Sequence, residues 1–279
     1  MGYNDDTNMY TLYVVATPIG NLEDISLRAL RILKEVKIIA AEDTRKTSRL
    51  LNHYQIATPM TSYYEHNKLV KLNRMLDYLE RGDMALVSEA GMPGISDPGY
   101  ELIVAAIEQG IAVVPVPGAS AVTTALAISG LATDRFMFLG FLPNKSAARR
   151  RVLESAVAEK GTLIILEAPH RIQDSLQDIL AVLGDRRLAA CRELTKIHEE
   201  VFRGKVSEAL EHFSEPKGEF TLVIDGNKNE SPKELTADIS KKLHDLRRSG
   251  MSAKEAIAGL VAETGLSKRE LYRAWLEQT

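Results

Sequence analysis

Short apolar runs of β type recur at residues 12–16, 36–41, 85–88 and 112–116, with longer stretches of helical period between them. The runs are nearly continuous rather than alternating, which predicts strands covered on both faces, as in a parallel sheet flanked by helices. The intervening helices fall at 26–33, at 68–79, where Leu69, Leu72, Leu76 and Leu79 share one face, and at 100–109, which Gly110 ends. A small-residue helix at 119–129 completes the set. The pattern predicts an α/β domain over residues 12–133, with residues 1–11 as a flexible arm before it.

A second set begins at Phe136-Met137-Phe138-Leu139 and continues through a helix containing Arg149-Arg150-Arg151, a strand at 162–166, a helix at 172–183, a strand at 188–192, a helix at 206–213 and a strand at 220–225. Its connections are shorter, so mixed strand directions are expected in a second α/β domain over 134–226. The segment Gly226-Asn227-Lys228-Asn229-Glu230-Ser231-Pro232 is polar, lacks apolar periodicity and reads as a linker. Helical patterns at 232–249, 253–263 and 268–276, with Ser267 as an N-cap, predict a small helix-turn-helix-like unit over 232–279.

The candidate chemistry sits where strands end. Gly91-Met92-Pro93-Gly94-Ile95-Ser96-Asp97-Pro98-Gly99 packs three glycines and two prolines into nine residues. Glycine allows positive φ and close approach of the backbone to a ligand, whereas proline fixes φ, so the segment reads as a preshaped ligand loop. Thr17-Pro18-Ile19-Gly20-Asn21 follows the first strand and Pro117-Gly118-Ala119-Ser120-Ala121 the fourth, and three such loops at strand ends imply one shared cleft. Glu42-Asp43-Thr44-Arg45 and Glu167-Ala168-Pro169-His170-Arg171 occupy equivalent strand-to-helix corners in the two halves. At the first, the structural alternative is that Asp43 caps the next helix and Glu42 pairs with Arg45.

A net charge of −3 gives no global nucleic-acid character, so an RNA contact needs a local basic patch. Lys145 with Arg149-Arg150-Arg151 is the densest one. The single cysteine, Cys191, cannot form an internal disulfide and lies in an apolar run, which suits a buried structural thiol. No apolar stretch approaches the roughly 20 residues that span a bilayer, and residues 1–9 lack a signal-peptide core, so no membrane association and a cytoplasmic setting are expected. Neither G-x-G-x-x-G, G-x-x-x-x-G-K-[ST] nor G-x-S-x-G is present, and the six histidines are dispersed, so no metal is expected.

The three loops, Ala41-Glu42-Asp43-Thr44-Arg45, Gly140-Phe141-Leu142-Pro143 and Arg192-Glu193-Leu194-Thr195-Lys196, in this order, resemble the tetrapyrrole methylase superfamily from about Leu12 to Asp225. Within it they are most similar to the bacterial enzymes that methylate a cytidine 2′-hydroxyl in 16S ribosomal RNA. Where relatives commonly read Ser-Asp-Ala-Gly-Thr-Pro, this chain has Ser88-Glu89-Ala90-Gly91-Met92-Pro93.

The resemblance implies two α/β domains with S-adenosylmethionine in the cleft between them, a homodimer, and 16S rRNA or the small ribosomal subunit as partner. Carried over by position, the cofactor contacts fall on Pro18, Met92, Ile95, Ser120 and Ala121, and on Leu166, Glu167, Ala168 and Leu194. Asp43, Glu65 and Glu193 are the candidate general bases, with His66 and Lys196 behind them. Arg45, Lys145, Arg149 and Arg171 are the candidate RNA contacts. The alternatives are methylation of a tetrapyrrole carbon, which an aromatic content of 6% does not favour, and a non-catalytic RNA-binding or ribosome-assembly factor.

Overall fold

The computed structural model describes residues 10–63, 68–228, 237–264, 266 and 268–277. The chain divides into one compact unit up to Gly226 and a second from Asn227. In the first, β1 (Thr11–Val15), α1 (Leu27–Glu35), β2 (Ile38–Ala41), α2 (Thr44–His53), β3 (Met60–Ser62), α3 (Lys68–Leu79), β4 (Met84–Val87), α4 (Tyr100–Glu108), β5 (Ala112–Val116) and α5 (Ala121–Ile128) follow in order. The five strands form a sheet of order β3-β2-β4-β1-β5 in which every pairing is parallel.

Successive strand side chains point to opposite faces, so each apolar run feeds two cores. Ile39, Ala41, Ala85 and Val87 pack against Ala29, Ile32 and Leu33 of α1. Their neighbours Ile38, Ala40, Met84 and Leu86 pack against Met75, Leu76 and Leu79 of α3 and Leu102 of α4. Each buried aliphatic side chain contributes about 1.5–3 kcal/mol, which is why the continuous runs become central strands.

The chain continues through β6 (Phe136–Phe141), α6 (Ser146–Ser155), β7 (Thr162–Glu167), α7 (Ile172–Leu183), β8 (Arg187–Arg192), β9 (Glu200–Lys205), α8 (Val206–His212) and β10 (Phe220–Ile224). These strands form a second sheet of order β6-β7-β10-β8-β9, in which β6 and β7 are parallel and the other pairings antiparallel. Leu153 of α6, Leu176 and Ile179 of α7 and Ala209 of α8 fill one face. On the other face Ala125 and Leu126 of α5 pack against Ile164, Ala189, Cys191 and Val223. By chain order α5 follows the first sheet, yet it packs on the second, and this joins the two sheets in one unit.

That topology gathers the loops. All strands of a parallel sheet end at the same edge, so the segments after β1, β2, β4 and β5 lie together. In the second sheet β10 runs antiparallel to β7 and β8, which sets its start beside their ends.

The second unit contains α9 (Ala237–Arg248), α10 (Ala253–Thr264) and α11 (Lys268–Glu277) around Leu243, Ile257, Leu260, Leu266 and Leu271. Ser252 and Glu255 cap α10 reciprocally: the Glu255 N–H donates to Ser252 Oγ at 3.3 Å, and Ser252 Oγ donates to the Glu255 carboxylate at 2.6 Å. The Ser267 cap expected for α11 lies outside the described residues. Among those residues, no helix is long and apolar enough to cross a membrane.

Candidate active site

The loop after β4 is shaped by its glycines. Gly91, Gly94 and Gly99 have φ of 83°, 82° and 141°, and Ser96 is held at φ 62° between them. The first loop is tied to it by a two-way bridge: Thr17 N donates to Gly91 O at 2.9 Å, and Gly91 N to Thr17 O at 3.0 Å. The loop after β8 comes in from the second sheet and touches the first loop at Gly20. A β-carbon on Gly20 would collide with Lys196 and Thr195 and crowd the Leu194 carbonyl, and Asn21 N donates to Thr195 Oγ1 at 3.1 Å. Glu193 and Thr195 both hold positive φ, 50° and 67°. Such strain in non-glycine residues persists where the surroundings over-determine it, as they do at binding sites.

Between these loops is a cavity of about 360 Å³. The first sheet contributes Ile19, Met92, Ile95, Ser120 and Ala121 to its lining, and the second Leu166, Glu167, Ala168 and Leu194. Eight of the nine expected cofactor contacts therefore face one space. The ninth, Pro18, sits beside Ile19 and is outside the lining. The departures from the family pattern lie here too. Glu89 pairs with Lys46, and its N–H donates to Glu42 Oε2 at 3.0 Å, while Met92 faces the cavity.

Of the candidate bases, Asp43 is the N-cap of α2: its Oδ1 accepts from Arg45 N at 2.8 Å and Lys46 N at 3.4 Å. Hydrogen bonds from the Arg45 backbone and side chain hold its carboxyl below the usual range, and it does not line the cavity. The helix cap of the structural alternative is what the structure contains, while Arg45 pairs with Asp43. Glu193 lines the cavity but accepts from Lys196 Nζ at 2.8 Å and Glu219 N at 2.9 Å. Burial opposes its ionisation, yet these partners outweigh burial and keep its carboxyl low. Burial likewise works against the charge on Lys196, but Glu193 and Glu219 hold the amine protonated, which removes it as a base. Glu65 and His66 lie outside the described residues.

Two of the expected RNA contacts are turned inward. Arg149 is 3% exposed and its Nε donates to Asp178 Oδ2 at 2.7 Å, so its charge is spent inside the fold; the expectation of an RNA contact there is corrected. Arg171 donates to the Leu142 carbonyl and pairs with Glu167 at 3.3 Å, bracing the wall of the cavity. Arg45 and Lys145 are exposed, as are Arg150 and Arg151 of the same basic patch. Cys191 is buried as expected, and burial pushes its thiol up to about 11.

Two further carboxylates in the lining, Glu42 and Asp97, are not among the bases the sequence suggests. Burial pushes the Asp97 carboxyl up to about 7, with the Glu42 charge adding to the rise and a hydrogen bond from Ser88 opposing it. The available signal was an acid inside the glycine-proline loop.

An all-parallel sheet and a mixed sheet with a loop-lined cavity between them define the class of the tetrapyrrole (corrin/porphyrin) methylases, whose family profile matches residues 11–210. A uroporphyrin-III C-methyltransferase from Thermus thermophilus, complexed with S-adenyl homocysteine, shares the fold with a TM-score of 0.56 at 18% identity, over 77% of this chain and 97% of that one. "Ribosomal RNA small subunit methyltransferase I" of Halalkalibacterium halodurans is 48% identical over 99% of this chain and 98% of its own. The protein of the same name from Thermotoga maritima is 49% identical over 78% of this chain and 99% of its own. The chain belongs to the tetrapyrrole methylase family, in the branch of the ribosomal RNA small subunit methyltransferases I.

Proposed function

We propose that the protein transfers the methyl group of S-adenosylmethionine to the 2′-hydroxyl of a cytidine in 16S ribosomal RNA, in the decoding centre of the small subunit. The observation that carries this reading is near-full-length identity of 42–48% to relatives named for that subunit's RNA, in a chain whose expected donor contacts converge on one cavity. The cavity's chemistry suits the donor. Ile19, Met92, Ile95, Leu166 and Leu194 give apolar walls for an adenosyl group, and the glycines of the loop allow its backbone to approach the donor closely. When bound, S-adenosylmethionine supplies an electrophilic methyl on a sulfonium. The protein's part is to hold a ribose hydroxyl in line with it and exclude water.

In this reading residues 12–133 and 134–226 are the two lobes around the donor, 232–279 is an accessory helical unit, and Arg45, Lys145, Arg150 and Arg151 offer charge to the RNA backbone. The working form is a cytoplasmic homodimer. Tyr100 and Ile107 on α4 and Phe136 on β6 are large apolar residues left exposed in the single chain, which supports burial against a second copy. Purified protein should bind S-adenosylmethionine in calorimetry and label the small subunit, but not a porphyrinoid, with its methyl group. Binding without RNA labelling points to a non-catalytic factor, and no binding rejects the reading.

A further inference from the structure

Among the described residues, six carboxylates line the cavity: Glu42, Glu89, Asp97, Glu167, Glu193 and Glu219. Four of them are committed to cations. Glu89 pairs with Lys46, Glu193 and Glu219 share Lys196 at 2.8 and 2.9 Å, and Glu167 is paired with Arg171 while Ser175 Oγ donates to it at 2.5 Å. A carboxylate neutralised in this way is a weak proton acceptor. Asp97 differs from these four. It is half-buried in the loop after β4 and lines the same cavity as Glu42 at the end of β2, whose charge acts on it. Glu42 is oriented by the Glu89 N–H.

We propose that Asp97 is the general base of the methyl transfer, with Glu42 beside it in the cavity lining; the assignment rests on the functional reading above. The ribose 2′-oxygen forms its bond to the methyl carbon as the carbon–sulfur bond breaks. The bonding pair returns to sulfur, which leaves as a neutral thioether, and the hydroxyl proton passes to an Asp97 carboxylate oxygen. Two like charges sharing one wall cannot ionise with equal ease, so one of them keeps its affinity for a proton near neutral pH. A base of that strength suits a hydroxyl that becomes acidic only as the new bond forms. The backbone around Asp97 has a specific shape: Ser96 is held at φ 62° and Gly99 at φ 141°, which sets where the loop presents the carboxylate.

The test uses the full chain, S-adenosylmethionine and small ribosomal subunits in single-turnover transfer across pH, together with calorimetric donor binding and carbon-13 NMR titration of the Asp97 carboxyl in the free protein. Asp97→Asn should lower the rate roughly 100-fold or more while donor affinity stays within about threefold. In the wild type, the Asp97 resonance should titrate near neutral pH and the rate should rise over the same range. Glu42→Gln removes the neighbouring charge without disturbing Asp97 itself, so it should move both midpoints to lower pH together, which a merely structural role for Asp97 would not do. An Asp97→Asn protein that binds donor and transfers within threefold of wild type overturns the assignment. So does an Asp97 titration near 4 unaffected by Glu42→Gln. A wild-type protein that titrates as expected but transfers to no RNA overturns the functional reading, and the base assignment with it.

Discussion

Replacing Arg149 with methionine separates a basic patch that meets RNA from one that holds the fold. In the buried pair Arg149 Nε lies 2.7 Å from Asp178 Oδ2, and both side chains are 4% exposed. Asp178 also accepts from Arg150 Nε at 2.6 Å and Ser146 Oγ at 2.9 Å, so losing Arg149 leaves it only partly compensated. Breaking a buried pair costs about 3–5 kcal/mol, and the partners that remain place Arg149→Met near the lower end, about 3 kcal/mol. For a unit of this size 1 kcal/mol moves the midpoint by roughly 2–4 °C, so melting should fall by roughly 6–12 °C. Burial alone would raise the Asp178 carboxyl, but Arg150, Ser146 and Arg149 outweigh it and hold it below 3.8. Its contribution is therefore complete above 3.8 and is lost as pH falls through the lower folded-state value, so the gap between variant and wild type should narrow in acid. The control is Arg151→Met, an exposed side chain, which should melt within about 0.5 kcal/mol of wild type and reduce the slope of RNA affinity against salt by about one contact. If Arg149→Met melts like wild type and flattens the salt dependence instead, the burial argument fails.

Asp97→Asn carries a prediction of opposite sign. Its folded-state value of about 7 lies above the ordinary 3.8, so ionising it costs the native state stability as pH rises through that interval. The full shift is worth about 4 kcal/mol, and solvent reaching the cavity screens this to about 1–2 kcal/mol, so the variant should be more stable than wild type at pH 8 and equal to it below pH 4 in urea titrations. Equal stability at pH 8 refutes the burial term. Gly20→Val should weaken donor binding at least tenfold by forcing the first loop away from Thr195 and Lys196, and a calorimetric affinity unchanged from wild type would show that the contact is dispensable. Cys191, buried and with its thiol pushed up to about 11, should resist alkylation in the native protein and react only on unfolding; rapid labelling of native protein would contradict its placement.

The sheet strands were legible because continuous apolar runs mark strands covered on both faces, and β5 and α3 fall on the expected residues. Elements of weaker contrast are legible only in outline or not at all. β3 has no fully buried residue, α2 is polar apart from Leu50 and Leu51, and β9 is a sheet edge whose charged start, Glu200, reads as loop. The cavity walls were legible for a different reason: glycine and proline spacing encodes loop shape directly. The base was not, because an acid's proton affinity depends on which charges the fold brings against it. Asp43 and Asp97 are the same residue type at strand-end loops of one sheet. One is held ionised by its hydrogen bonds at a helix start, and the other is kept near neutrality by burial beside Glu42. Likewise the triple arginine looked like a uniform patch, but helical period turned its first member into the core against Asp178.

The central claim is that the cavity between the two sheets delivers a methyl group to a ribose hydroxyl of small-subunit RNA. The most direct measurement incubates the purified protein with isotopically methyl-labelled S-adenosylmethionine and small subunits from cells lacking this protein, then digests the RNA to nucleosides. The account predicts label in 2′-O-methylcytidine from a single site; label on a base, or none in the RNA, would contradict it.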